Sequence, residues 1–198
     1  SKIDDLLRIR ISSIEITELN DKFLEMLKIN KKVCNHLHIP LQAGSDEILK
    51  RMNRKYDLAY YEEKINKIRS IRPDISITTD IIVGFPYETD ELFSETLEFS
   101  KKMNFSKIHV FPYSIRVDTA AASMPNQVDE VTKKVRVKKL MALSKKQEKE
   151  YYEKFKGKEL DILVEVCDNI VSIGRTSNYL MVTLNEILLV GKIYKRIL

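Results

Sequence analysis

Four groups of polar residues fall where an apolar run gives way to a turn. They are Ser13 and Glu15; Gln42, Gly44 and Ser45; Asp80 and Gly84; and Tyr113, Ser114 and Arg116. Where strands run parallel, ligands collect at the C-terminal strand ends, so these groups read together as the lining of a binding site. Taken singly, each has a plainer role: Ser45 and Thr89 can cap helices, and Glu15 can pair with a nearby base. The two cysteines, Cys34 and Cys167, are too far apart in sequence to form a metal-ligand spacing. Each sits beside apolar residues and reads as a small buried thiol, and a reducing compartment disfavours a disulfide between them.

The elements that must position these groups alternate in type. Leu7–Glu15, His36–Leu41, Ser76–Val83 and Ser106–Tyr113 read as strands. Ser76–Val83 is nearly continuous in apolar character at its end, as in a strand covered on both faces. Between them, Asp21–Asn30, the stretch from Ser45 to Met52, Asp57–Ile71 and a segment from Thr89 to about Met103 carry helical periodicity. Strand–helix repetition of this kind predicts βαβ units and a parallel sheet, closed as a barrel or open and doubly wound. Four strands are few for either, and the chain opens almost directly in a strand, which suggests that an N-terminal half is missing.

After Met124 and Pro125 the pattern changes. Val131 to about Phe155 is one long basic helix, ended by Gly157. From Val131 to Lys158 there are eleven Lys and Arg against three Glu, within a formal net charge of +5. That excess suits an anionic partner such as nucleic acid, although a charge-rich helix is also an ordinary solvated face. Leu160–Cys167, Ser172–Thr176, Tyr179–Leu184 and Lys192–Ile197 are β-like, with turn signals between them, and predict a small antiparallel barrel of a kind that often binds nucleic acid. No apolar run approaches the roughly 18–20 residues needed to span a bilayer, and Ser1 to Arg8 lacks the pattern of a signal peptide. The expectation is a cytoplasmic protein with no membrane association.

The segments RISSIE, HLHIPLQAGSDEILKRMNRKY, TDIIVGFPYET and HVFPYSIRVDTAAASMPNQV closely resemble the radical-SAM methylthiotransferases. The branch they most resemble adds a methylthio group to threonylcarbamoyladenosine beside the tRNA anticodon. GKELDILVE, GRTSNYLMV and GKIYKRIL are similar to a TRAM domain, the small RNA-binding β-barrel that ends these enzymes. The resemblance implies an α/β chain in three parts. Residues 1–130 would be the last four strands of a partial parallel (β/α) barrel, 131–156 a basic connecting helix and 157–198 the TRAM-like barrel. It also implies S-adenosylmethionine and two [4Fe–4S] clusters in the full-length enzyme, with tRNA as partner. The CxxxCxxC loop that ligates one cluster is absent from this sequence, as is the domain that holds the other. The chain by itself is therefore expected to be inactive, with no catalytic residue and no metal ligand of its own.

What would remain is the cofactor wall. Gln42 and Arg54 are twelve apart and Asp80 follows twenty-six later, similar to a Gln, Arg and Asp set in radical-SAM enzymes that decarboxylate porphyrin precursors. Arg suits the methionyl carboxylate, and Gln and Asp suit ribose hydroxyls and the amino group. Ser13, Glu15, Ser45 and Tyr113 complete this expectation, with Ile82 to Phe85 along the adenine and Gly84 allowing close approach. The alternative for Arg54 is a surface salt bridge with Asp57. For RNA the expected contacts are Arg116, Lys138, Lys139, Arg175, Asn178 and Tyr179, with Tyr179 stacking on a base or else filling the barrel core. Ala43, Tyr87, Asp118 and Ala120 depart from the family pattern of Ser, Gly, Gly and Pro, and Tyr87 and Asp118 put the shapes of two rim loops in question. Rival readings keep the chemistry on isopentenyl-adenosine tRNA or a ribosomal protein side chain, or make the chain a non-catalytic RNA-binding module. The unpaired edge at Leu7–Ser13 favours a homodimer.

Overall fold

The β-branched run Ser76–Val83 becomes the centre of a parallel sheet in the computed structural model, which describes Ile3 and residues 5–198. Ser1, Lys2 and Asp4, at the start of the expected barrel portion, lie outside the described residues. β1 (His36–His38) and β3 (Lys107–Pro112) flank β2 (Ser76–Val83) in the order β1-β2-β3. Side chains alternate across a strand. Ile77, Ile81 and Val83 of β2 therefore enter a core with Leu37, Ile65, Ile68, Phe93 and Phe105, while Thr78, Asp80 and Ile82 face the other way. Helices α1 (Asp21–Ile29), α3 (Leu58–Ile71) and α4 (Asp90–Met103) cover the apolar face, and the short α2 (Asp46–Arg51) follows β1. Each long one starts at a side-chain cap: Asn20 accepts from Phe23 N–H, Asp57 from Tyr60 and Thr89 from Leu92.

Two departures from the expected elements have local causes. Leu7–Glu15 forms no continuous strand; Ile9 and Ser13 make isolated parallel bridges to Val33 and His38, and Ile16–Glu18 coils into a 3-10 turn. With a three-residue neighbour, this segment has little ladder to join. The homodimer expected across its edge finds no support, because that edge is not a regular one. Ser45 does not cap α2 with its side chain. It is fully buried with an unpartnered Oγ, and Asp46 instead accepts from Leu58 N–H at the start of α3.

The long helix α5 (Glu130–Glu153) is not simply a solvated basic face. Ser144 Oγ accepts from Ile108 N–H and donates to Ile108 C=O (2.9 and 3.1 Å), so α5 covers the open edge of β3 with hydrogen bonds. Lys133 and Arg136 are buried, at 3% and 4% exposure, against the loop after β2. Lys138 and Lys139 remain exposed.

The tail forms β4 (Glu159–Cys167), β5 (Ser172–Thr176), β6 (Met181–Leu184) and β7 (Ile193–Ile197). They pair antiparallel in the order β6-β5-β4-β7. Among the described residues this is an open four-stranded sheet with β6 and β7 at its edges, and the closed barrel is not formed. β6 starts two residues late because Tyr179 adopts a left-handed backbone, φ 71°. No helix among the described residues is long and apolar enough to cross a membrane.

Candidate functional site

The open face of the parallel sheet divides into a covered lower part and an exposed upper part. Below, the tail and the end of α5 dock: Arg8 donates to the Arg175 and Asp161 carbonyls, Asn35 N–H donates to Ser177 Oγ, and Tyr151 Oη of α5 donates to Asp74 C=O. Above, at the C-terminal strand ends, Gln42, Asp80, Ile82, Phe111, Tyr113 and Arg116 line a cavity of about 580 Å³, within the size range of small-molecule sites.

Backbone pairing fixes the two polar residues at its floor. Gln42 N–H donates to Asp80 C=O and Gln42 C=O accepts from Ile82 N–H, both at 2.9 Å, so Gln42 crosses the end of β2 with φ 71°. A non-glycine residue held in this region stores strain that the surroundings must impose, a common property of binding sites. Tyr113 N–H donates to Val83 C=O, and the Tyr113 ring meets Phe85 edge-on at 5.1 Å. Tyr113 packs against the cluster of Ala43, Ile48, Leu49 and Phe85, and its Oη is enclosed without a hydrogen-bond partner.

Other expected site residues lie elsewhere. Phe85 is buried in a cluster with Ala43, Ile48 and Leu49, behind the cavity rather than on it. Gly84 is required for a different close approach: at φ 74°, a Cβ there would sit 2.4 Å from Lys133 Cγ. Its N–H donates to Glu88 Oε1 at 2.7 Å. Arg54 pairs with Glu15 at 3.6 Å and not with Asp57, which caps α3. Ser13 is engaged in its bridge to His38.

On the tail, Asn178 is 5% exposed and internally satisfied. Its amide donates to Tyr151 Oη, and its carbonyl accepts from Thr176 Oγ1. It is not presented to RNA. Arg175 is ion-paired with Glu165. Tyr179 neither fills a barrel core nor offers a free ring. It stacks on His36, centroids 4.5 Å apart, with Arg10 4.3 Å from its ring centre and Arg175 5.0 Å away. Arg116, expected as an RNA contact, lines the upper cavity at the end of β3. Cys34 is buried as expected, whereas Cys167 is half-exposed.

The two rim loops in question keep the backbone that glycine would favour. Tyr87 has φ 70° and Asp118 φ 65°, a region that costs an L-residue roughly 1–2 kcal/mol. The Arg51 guanidinium lies 3.8 Å over the Tyr87 ring, a contact worth ~0.5–1 kcal/mol at exposed sites. Asp118→Gly is therefore expected to stabilise the chain by up to about 1 kcal/mol, whereas Tyr87→Gly gains less because it gives up the Arg51 contact. Chemical denaturation of the two variants checks the order.

The residues that sequence reasoning missed are histidines. His36 and His38, two apart on β1, share the open face with Thr78 and Asp80. Arg10 donates to His36 Nδ1 at 3.3 Å, and Thr78 Oγ1 lies 3.0 Å from His36 Nε2 and 2.9 Å from His38 Nδ1. Burial first, then the charges of Arg10, His38 and His109, lowers the pKa of His36 to about 3. The i, i+2 spacing in HLHIPL was the available signal.

The family model for the radical SAM superfamily matches residues 2–100. The chain belongs to the radical SAM superfamily. Among curated proteins, it is 42% identical over 201 residues to threonylcarbamoyladenosine tRNA methylthiotransferase MtaB of Bacillus subtilis, covering 98% of this chain and 45% of that protein. It is 45% identical over 163 residues to tRNA-2-methylthio-N(6)-dimethylallyladenosine synthase of a Thermoanaerobacter species, covering 82% and 35%. This radical SAM chain thus spans less than half the length of these curated relatives. Among solved structures, the radical SAM enzyme coproporphyrinogen III oxidase of Escherichia coli matches with TM-score 0.57 and 23% identity, over 71% of this chain and 32% of that one. That likeness supports a partial barrel for the parallel sheet.

Proposed function

We propose that this chain supplies the S-adenosylmethionine wall of a radical-SAM enzyme that adds a methylthio group to threonylcarbamoyladenosine in tRNA. The observation that carries the reading is the cavity at the C-terminal strand ends, where Gln42, Asp80 and Tyr113 converge. The donor set fits a nucleoside cofactor. The Asp80 carboxylate and the Gln42 amide suit ribose hydroxyls and the cofactor's amino group, and Ile82 and Phe111 offer an apolar surface to adenine. We assign the methionyl carboxylate to Arg116, which lines the cavity, rather than to Arg54, which Glu15 holds outside it. When bound and reduced, the cofactor would supply radical chemistry, and the chain's residues would orient it.

A [4Fe–4S] cluster does not fit these residues. Cys34 precedes β1 and Cys167 ends β4, and Cys167 Sγ accepts from Ser172 Oγ. Two thiols on separate sheets cannot meet the need for three or four cysteine ligands. The chain alone is therefore proposed to bind the cofactor without cleaving it. The choice of threonylcarbamoyladenosine over dimethylallyladenosine is favoured by the alignment with the Bacillus relative, which extends over 98% of the chain against 82%. The exposed Lys138 and Lys139 of α5 would contact tRNA phosphates without reading sequence.

Saturation-transfer NMR with S-adenosylmethionine tests the wall. Transfer to adenine and ribose protons is expected, with Asp80→Ala weakening binding by about tenfold or more, the scale of a hydrogen bond to a charged group. Equal transfer in the chain and in Asp80→Ala and Gln42→Ala would overturn the assignment.

A further inference from the structure

All three histidines of this 198-residue chain are His36, His38 and His109, and they stand on the open face of the sheet. The register aligns His38 with Thr78 and Asp80 with His109, so β1, β2 and β3 each bring one ligating side chain to the same place. His38 Nε2 lies 3.3 Å from Asp80 Oδ2, and the His38 and His109 rings are 5.7 Å apart. One ligand atom from each of His38, Asp80 and His109 lies within 4.8 Å of the other two.

We propose that His38, Asp80 and His109 bind a divalent transition-metal ion. Two imidazoles and one carboxylate on adjacent strands form a facial set suited to Fe²⁺, Co²⁺, Ni²⁺ or Zn²⁺, leaving coordination positions open to solvent or ligand. Metal–ligand bonds of about 2.0–2.2 Å suit the present His38–Asp80 spacing of 3.3 Å, and His109 completes the set by turning toward it. His109 is exposed, so its ring is free to turn inward.

The surroundings prepare this arrangement. Thr78 Oγ1 fixes the His38 ring through Nδ1 and aims Nε2 at Asp80, the role of an outer-shell partner at a metal-bound histidine. A hydroxyl can donate or accept, so it holds either His38 tautomer, and the ion takes the one with a bare Nε2. His36 is excluded as a ligand because Arg10 and Thr78 occupy both ring nitrogens and Tyr179 covers its face. Of the neighbouring cations, Lys107 is already neutralised by Glu148 at 3.0 Å.

The inference uses this chain's own side chains and stands apart from the cofactor reading, although Asp80 serves both. The probe is therefore Co²⁺ alone, titrated into the chain at pH 7.5 with visible absorption and histidine ¹⁵N NMR as readouts. Saturable one-to-one binding is expected, with His38 Nε2 and a His109 nitrogen as the resonances that move. His109→Gln and Asp80→Asn should each weaken binding by at least about tenfold, as losing a ligand costs no less than losing an outer-shell partner. His36→Gln should leave affinity within about twofold, and thermal melts confirm that each variant is folded. Three results would overturn the proposal: no saturable change up to millimolar Co²⁺, equal affinity in His109→Gln, or movement of His36 resonances in place of His38.

Discussion

Replacing Arg136 by Met lowers the unfolding free energy by about 3–5 kcal/mol, the scale of breaking a buried ion pair from one side. Glu88 is the reason. Its side chain is fully buried, and its Oε1 accepts from Arg136 Nη1 at 2.9 Å and from Gly84 N–H at 2.7 Å. Arg136 also donates to Glu88 C=O and, at 2.8 Å, to Asp90 Oδ1. Desolvation already pushes the Glu88 carboxyl upward, opposed by the Gly84 hydrogen bond and by Arg136. Without Arg136 the carboxylate would lose its charge partner inside the loop that backs the cavity. Urea unfolding of Arg136→Met, Glu88→Gln and the double variant checks this. The double variant should be less destabilised than the two singles summed, since each single leaves a partner unpaired. Additive losses would mean that the pair is not coupled.

Acidification should weaken the fold well before the exposed carboxylates titrate, against an opposing share from the raised carboxyl of buried Glu88. His36 is held at a pKa of about 3, mainly by burial and next by Arg10. The folded state thus refuses a proton that the unfolded chain accepts below its ordinary value near 6.5. Stability from a neutral, buried histidine is complete above that value and falls as pH drops toward the folded pKa. The slope is about 1.4 kcal/mol per pH unit, which removes roughly 2.5 kcal/mol between pH 7 and pH 4.5. His109, also lowered, acts in the same direction with an added share. Asp90, Asp129 and Asp168, which are lowered too, begin to contribute only near and below the ordinary Asp value. His36→Gln should flatten the dependence over that window, even though it also loses the stack on Tyr179. A wild-type slope retained in His36→Gln would show that His36 is not the group responsible.

What could be read in advance was the periodic part. SITTDIIV could only be a well-covered strand, and Asp57 and Thr89 announced helix starts that their side chains do cap. The polar strand ends were legible as a group, and three of the expected cofactor residues, Gln42, Asp80 and Tyr113, line one cavity. Lys133 and Arg136 misled because positive charges within a basic helix read as solvated. Their burial depends on Glu88 and Glu130, and Glu88 lies 48 residues from Arg136. Tyr179 misled because a left-handed backbone at a tyrosine leaves no mark in hydrophobic pattern, and its partner His36 is on another sheet. Ser45 had the residue type of a cap but is enclosed in the core. The histidines were missed: strand alternation in HLH was a signal for His36 and His38 on one face, but His109 needed the register of β2 with β3.

If this chain serves the methylthiolation of threonylcarbamoyladenosine, as proposed, tRNA nucleosides report on it directly. Total tRNA from cells lacking the gene that encodes the chain would be digested and compared with wild type by mass spectrometry. The methylthio form of threonylcarbamoyladenosine is expected to disappear while its unmethylthiolated parent accumulates. Restoring the gene should return the modification, and restoring it with Asp80→Ala should do so only weakly. Retention of that nucleoside, with loss instead of the methylthio form of dimethylallyladenosine or with no change in any nucleoside, would contradict it.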